Sequence, residues 1–349
     1  MSAVSALQRE RLKLFLRITA ISGCIGAVYG ALLQAGGSLF VSILTGVLNG
    51  AVIAGAIGGI EIFLLREGTA MKRLGHLPFV AVVALKTLVY GAIVGAAIAG
   101  SPYLAFLLPG DVQWVALEPR AALVTLGFSL TVTAVFVILL QAAGLVGRRT
   151  FRNLVLGRYR RPRAERRFFL FVDVVGSTAI AERLGPLEAH NFLAAVFSAT
   201  AEPIAASRGE IYQYVGDEIV VTWPEDEGRV DARPLRCFFL MEEALSGLRD
   251  RFRERFAAEP ALRAALHLGE VIAGEVGEQR RAIVFHGDVM NTAARLEQAT
   301  RDLGVRFIAS ADAIAALGAQ PELDMKDLGA LALRGRSEPI RALGVDSRR

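Results

Sequence analysis

The chain has little cysteine or histidine and, over its first 147 positions, few charges. Its 349 residues include two cysteines and four histidines. Cys24 lies in an apolar stretch and Cys237 in the polar half, so they form neither a metal-ligand spacing nor a disulfide framework. His267 and His286 have no cysteine or histidine partner at ligand spacing, and both read as structural or strand-end histidines rather than zinc ligands. No small-x-small site closes the first apolar run, which is also too long for a cleaved leader. The apolar half has no proline-broken segment at mid-span and no inverted repeat, the features expected of a transporter. Acidic residues are scarce around position 150: between Arg148 and Arg167 nine arginines stand with one acid, Glu165. The net charge of +5 is thus a local excess where a chain leaves a bilayer, and nucleic acid is not an expected partner.

Apolar sequence is abundant. The hydrophobic fraction is 53% and the mean hydropathy +0.44. A bilayer crossing takes roughly 20 residues, and four segments qualify, at about 13–34, 39–65, 78–100 and 121–146. Arg9, Arg11 and Lys13 precede the first, and Arg66, Lys72 and Arg73 lie between the second and third. The connection at Gly36 and Gly37 is uncharged, and 101–120 holds only Asp111, Glu118 and Arg120. By the positive-inside rule both termini are cytoplasmic. Gly26 and Gly30, Gly46 and Gly50, and Gly91 and Gly95 are spaced to bring helix backbones close, as a dimerisation face or as the ordinary glycine of membrane helices. Arg17, Glu61 and Lys86 fall inside the spans. The two cations either snorkel separately to the headgroups, or Glu61 pairs with one of them.

The expected domains are a four-span membrane domain at 1–147, a basic linker helix at 148–166 and an α/β domain at 167–349. The linker interleaves Phe151, Leu154, Val155 and Leu156 with arginines and meets Pro162, so it reads as a lipid-headgroup anchor or a signalling helix. After it the period changes. "RRFFLFVDVV" predicts a buried strand, 178–206 a helix, "GEIYQYVGDEIVVTW" two strands around a tight turn, and 230–256 a helix. "LRAALHLGEVIAGEVG" and "RAIVFHG" predict a strand pair, "DVMNTAARLEQAT" a helix and "VRFIAS" a strand. This order fits a ferredoxin-like α/β sandwich with extensions.

Chemistry concentrates at the predicted strand ends. Asp173 is followed closely by Gly176, Ser177 and Thr178, where backbone N–H groups at a helix start can meet a polyphosphate. Asp217 sits at the hairpin turn beside the first strand, so the two carboxylates can converge on divalent cations. A lone aspartate at either place would read as a cap or turn residue. Asn291 and Arg295, four residues apart, share a helix face, where the asparagine can orient a sugar and the arginine can meet charge developing on a phosphoryl group.

Five ordered stretches carry a family resemblance. "FVDVVGST", "YVGDE", "LHLGEVIAGEVG", "GDVMNTAARLE" and "LRGRSEPI" resemble the two metal motifs, central strand pair, transition-state helix and phosphate-binding end of the class III adenylyl/guanylyl cyclase catalytic domain. The resemblance covers 167–345 and is to the membrane-anchored bacterial type, which implies an inner-membrane protein with its catalytic domain cytoplasmic. It further implies conversion of ATP, or alternatively GTP, to a 3′,5′-cyclic monophosphate and pyrophosphate, by a homodimer with shared sites and two Mg2+ ions, for which Mn2+ can substitute. Carried over, Asp173, Val174 and Asp217 form the metal site, Asn291 positions the ribose and Arg295 stabilises the transition state. Arg334 replaces the family's usual lysine near the triphosphate, and Arg336 can share that task. The base-reading positions hold Gln213 and Val284, where adenine-selective members typically have a lysine and an aspartate or threonine. Gln213 reads the purine with an amide that both donates and accepts, or it faces away and Tyr212 or Tyr214 lines the pocket. A degenerate cyclase-like binding module is the alternative without chemistry. A diguanylate cyclase would need a fuller Gly-Gly-acidic-acidic turn than "VGDE" provides. Membrane lipid is the remaining expected partner.

Overall fold

A computed structural model describes residues 3–33, 39–61, 77–104, 119–279, 281–336 and 338–348. They fall into two compact units, Met1–Val146 and Gly147–Arg349. The first holds four helices: α1 (Ala3–Leu33), α2 (Leu39–Gly59), α3 (Phe79–Leu104) and α4 (Pro119–Val146). Each is long and apolar enough to cross a membrane, with qualifying windows at Phe15–Leu32, Leu39–Gly59, Phe79–Gly100 and Ser129–Val146. The helices start and stop differently from expectation at the third connection: α3 continues to Leu104 and α4 begins at Pro119. Gly36, Gly37, Arg66, Lys72, Arg73, Asp111 and Glu118, and the end of the second expected span, lie outside the described residues.

The large apolar side chains of this unit point outward, among them Leu32, Phe40, Val80 and Leu88, while glycine lies between helices. An added Cβ on Gly26 would overlap the carbonyl oxygen of Gly46, and one on Gly46 would overlap that of Gly26. Gly30 stands in the same way against Ser42, and Gly50 against Ser22. Two of the three glycine pairs thus interlock α1 with α2 inside one chain, with backbone on backbone. Gly91 of the third pair makes room for Leu130 of α4. Of the two readings of the charges expected inside the spans, pairing is the one observed. Lys86 Nζ donates to Glu61 Oε1 at 2.5 Å, the Tyr90 hydroxyl donates to the same oxygen at 2.5 Å, and Arg17 is exposed.

The second unit opens with α5 (Arg148–Val155) and an eight-stranded sheet: β1 (Arg163–Val174), β2 (Glu210–Val215), β3 (Glu218–Pro224), β4 (Leu262–Val276), β5 (Ala282–His286), β6 (Phe307–Ser310), β7 (Leu323–Leu331) and β8 (Ile340–Ser347). Its order is β2-β3-β1-β4-β6-β8-β7, with β5 paired to β4. The first four strands, all antiparallel to their neighbours, give the ferredoxin-like arrangement expected from sequence. β6 then adds parallel to β4, and the β7–β8 hairpin, which the sequence reading did not divide out, extends the sheet.

The helices are α6 (Ser177–Leu184), α7 (Pro186–Ala206), α8 (Glu225–Arg229), α9 (Arg233–Ser246), α10 (Arg249–Phe256), α11 (Asp288–Leu303) and α12 (Ala311–Leu317). The helix expected at 178–206 is two, because Gly185 at φ 76° turns the chain and Pro186 starts a new helix. The one expected at 230–256 is also two. It starts only at Arg233, after Asp231 and Ala232 with positive φ, and breaks again between Ser246 and Arg249.

β1 is buried on both faces, which explains its unbroken apolar run. Phe168, Leu170 and Val172 pack in one layer with Phe192 of α7 and Phe238 of α9, while Phe169 and Phe171 face Val289 and Ala293 of α11. β1 also starts at Arg163, so the last residues of the expected 148–166 linker are already sheet.

Arg167, 1% exposed, is the exception in this run. Its guanidinium donates to Glu165 at 3.0 Å, Glu210 at 2.9 Å and Thr222 at 3.1 Å, and lies 4.6 Å over the Phe285 ring. Glu210 also accepts from Thr150 of α5 at 3.2 Å, and Arg149 of α5 grips Glu227 at 2.8 and 2.6 Å. These polar bonds seat α5 on the strands that end at the candidate site.

Candidate active site

Asp173 is the second-last residue of β1 and is buried, 2% exposed. Its strand neighbours in register are Glu218 of β3 and Arg263 of β4. Asp217 occupies the two-residue turn between β2 and β3, which Gly216 makes possible with φ 62°. Turn and strand end bring Asp173 and Asp217 close enough for the charge of each to act on the other. Ser177, the first residue of α6, donates its hydroxyl to Asp217. Gly176 is left-handed at φ 71° and no side chain caps α6, so the first N–H groups at Ser177 and Thr178 are left for an anion. Val174 is buried beside Asp173.

Three basic and acidic residues that the sequence reading did not single out complete this corner. Arg263 pairs with Asp173 and, at 2.9 Å, with Glu297 of α11. Arg301, one turn beyond Glu297, reaches Asp173 at 3.1 Å. The i, i+4 spacing of Glu297 and Arg301 was visible in the sequence, but their direction toward β1 depends on how α11 is rotated.

Burial, and then the charge of Asp217, push the Asp173 carboxyl up to about 6, against the pull of Arg263. Burial acts to raise Asp217 too, but the Ser177 hydroxyl and the adjacent Asp173 carboxyl outweigh it and hold Asp217 below its ordinary value. Glu218 is pushed up to about 7 by burial and by the charges of Glu297, Asp173 and Asp217. Crowded carboxylates of this kind share a proton or a cation. Among the described residues no group of three or more His, Cys, Asp or Glu side chains forms a metal cage. Two aspartates at a strand end instead fit the way magnesium is held, by one or two carboxylates completed by substrate phosphates and water.

The remaining expected residues lie elsewhere on the unit. Asn291 is exposed on α11, and Arg295, one turn on, is half-buried with its Nη1 atom buried and unpartnered. Arg295 borders the turn at Gly335, and Arg336 folds the same loop onto α11 through Asp288 and, at 2.7 Å, Thr292. Arg334 is exposed in that turn. At 100° per residue the Asn291–Arg295 stripe stands about 120° around α11 from the Glu297–Arg301 stripe that meets Asp173. One chain therefore directs its aspartates and its Asn–Arg pair to different places.

Gln213 is exposed on β2 opposite Val220, and Val284 is half-buried on β5 opposite Gly274. Ile283 and Phe285 face the α11 layer, so Val284 projects to the other side of β5. Tyr212 packs on Phe285 with ring centroids 5.1 Å apart, and Tyr214 turns to Phe197 of α7 at 4.9 Å. The two tyrosines thus serve opposite layers of the sheet. His267 is buried against Ser310 at 2.8 Å and His286 is exposed, as structural and strand-end histidines would be.

A sequence model of the adenylate and guanylate cyclase catalytic domain matches residues 162–342. Adenylate cyclase 2 of Rhizobium meliloti is 37% identical over 218 residues, covering 62% of this chain and 60% of that protein. Adenylate cyclase 1 of the same organism is 30% identical over 174 residues, 49% of this chain and 26% of that one. The chain thus spans less than two thirds of the length of either relative. A solved bacterial light-regulated adenylyl cyclase superposes with a TM-score of 0.52 at 21% identity, over 62% of this chain and 64% of that one, and supports the fold. With the match running from the start of β1 into β8 through both aspartates, Asn291 and Arg295, the chain belongs to the adenylate and guanylate cyclase catalytic domain family.

Proposed function

We propose that the protein is a membrane-anchored adenylate cyclase that converts ATP to 3′,5′-cyclic AMP and pyrophosphate at sites shared by two copies of the chain. The observation that carries this reading is the division of α11: its Glu297–Arg301 stripe steadies Asp173 in the same chain, while Asn291 and the unpartnered Arg295 face away. A second copy would bring its Asn–Arg pair to the first copy's aspartates. The inner membrane, with both termini and the catalytic unit cytoplasmic, is the location that the basic flanks of the spans support.

In this reading Asp173, Asp217 and the Val174 backbone hold two divalent cations, magnesium or manganese, which supply charge neutralisation of the triphosphate and activation of the ribose 3′-hydroxyl. Arg263 and Arg301, both paired with Asp173, hold its carboxylate in place. The uncapped N–H groups at Ser177 and Thr178 receive phosphate oxygens, and Arg334 binds the far end of the triphosphate. Asn291 orients the ribose so that its 3′-oxygen lies in line with the α-phosphorus. As that bond forms and the bond to the pyrophosphate oxygen breaks, the Arg295 fork meets the charge developing on the phosphoryl oxygens. GTP is the second reading, because Gln213 stands where a lysine is usual and its amide can both donate and accept at a purine edge.

The test uses full-length protein in detergent or nanodiscs with ATP or GTP and magnesium or manganese, and products identified by mass spectrometry. Asp173→Asn and Asp217→Asn should each abolish turnover, and Arg295→Ala should lower it roughly 10²-fold. Co-assembled Asp173→Asn and Arg295→Ala chains should recover activity, since each heterodimer keeps one intact site. Dead mixtures with heterodimers demonstrably present would refute the shared site, and near-normal rates in the aspartate variants would refute the assignment.

A further inference from the structure

The two faces of α5 have opposite chemistry. The inner face is bonded to the catalytic unit through Arg149 and Thr150, with Asn153 buried and Leu154 packed against the Phe169–Phe285 layer. The outer face and the turn after it present Val155 and Leu156, 69% and 71% exposed, beside exposed Arg152, Arg160 and Arg161. Among the described residues none of these three arginines has a carboxylate within ion-pair distance. Some exposed arginines elsewhere on the unit are compensated, Arg166 by Glu225, Arg306 by Glu242 and Arg341 by Asp327, but those lie away from an exposed apolar pair. An exposed apolar pair with uncompensated cations within a few residues on either side is the pattern of a helix lying in a bilayer interface, apolar groups at the acyl boundary and guanidinium groups on anionic headgroups.

Chain connectivity says which surface is in reach. Only Gly147 separates the last residue of α4, Val146, from the first of α5. At 3.8 Å per residue, α5 begins within about 8 Å of the end of the fourth span. A second copy's α5 is a poor occupant, because it would bring the same unpaired arginines face to face. We propose that the outer face of α5 and the turn at 156–161 dock on the anionic headgroup layer of the membrane that α1–α4 cross, holding the catalytic unit against the bilayer by a helix whose other side is bonded into it. This rests on the reading of α1–α4 as membrane spans.

The experiment separates the two. Full-length protein carrying Cys24→Ala is labelled with an environment-sensitive fluorophore at Leu156→Cys, or at Phe136→Cys in α4 as a span control, and placed in nanodiscs containing acyl-brominated lipid. Cys237 is fully buried and stays unlabelled. The discs are phosphatidylcholine alone or mixed with phosphatidylglycerol. Residue 136 should be quenched in both. Residue 156 should be quenched and blue-shifted in the anionic discs, with the effect lost in phosphatidylcholine alone, at high salt, and when Arg152, Arg160 and Arg161 are changed together to glutamine. Quenching at 136 without quenching at 156 overturns the docking while the spans stand. No quenching at 136 overturns both. Energy transfer between 156 probes on two copies without lipid quenching overturns the docking in favour of self-association.

Discussion

Arg167→Met tests whether the buried charge cluster under α5 holds the catalytic unit together. The substitution keeps most of the side-chain volume and removes the guanidinium that bonds Glu165 at 3.0 Å, Glu210 at 2.9 Å and Thr222 at 3.1 Å. Breaking a buried pair by deleting one partner typically costs about 3–5 kcal/mol, because the other charge is stranded. Here the glutamates keep secondary partners: Glu165 accepts from Tyr159 at 3.1 Å, and Glu210 from Thr150 at 3.2 Å with Arg149 at 3.5 Å. The lower end, about 3 kcal/mol, is therefore expected. For a domain of this size that is a fall in Tm of about 6–12 °C. The assay is thermal unfolding followed by Trp223, which is fully buried one residue from Thr222, in a Trp114→Phe background. Adding Glu210→Gln to Arg167→Met should recover part of the loss, since it removes one stranded charge. A single-variant Tm within about 2 °C of the parent, or a double variant worse than the sum of the singles, would refute the account.

Three further outcomes follow from the same contacts. Gly46→Val should destabilise the membrane unit by about 1–3 kcal/mol in detergent, because its Cβ meets the Gly26 carbonyl, while Gly127→Ala, with open space around it, should change little; equal effects would remove the interlocked-helix account. Glu61→Gln should lower the thermal stability of the full-length protein by stranding Lys86, and Glu61→Gln with Lys86→Met should lose less than Glu61→Gln alone; additive losses would mean the pair is not coupled. Burial holds His267 neutral down to about 4, against an ordinary 6.5, so between those values the unfolded chain takes up a proton that the folded chain refuses. Asp173 and Glu218, with raised carboxyls, act with the opposite sign in the same window, so the histidine is read by difference: the stability of the parent relative to a His267→Gln variant should fall by up to about 3 kcal/mol as pH drops from 6.5 to 4 and level off below.

Much of this protein is written locally. Apolar length alone marked four helices long enough to cross a bilayer, because that property needs only about 20 mostly apolar residues in a row. The ferredoxin-like strand order, the Gly216–Asp217 turn and the Asn291–Arg295 spacing were legible for the same reason: a period, a turn residue or an i, i+4 separation is a property of neighbouring residues. What the sequence left open required knowing which surfaces meet. Gly26 and Gly46 had the same spacing whether they served a partner chain or each other, and only the approach of α1 to α2 decided it. Glu61 could have paired with Arg17 or Lys86 until α2 and α3 were set side by side. The breaks at Gly185 and near Gly247 came from backbone turns that let separate helices cover one sheet face. Arg263, Glu297 and Arg301 look like ordinary strand and helix charges in the chain, and they converge on Asp173 only because register places Arg263 opposite it and packing rotates α11 by a definite angle. Side-chain type and short-range spacing are fixed by the chain itself, whereas the pairing of distant charges and the sharing of a helix between two faces depend on long-range contacts that no local pattern encodes.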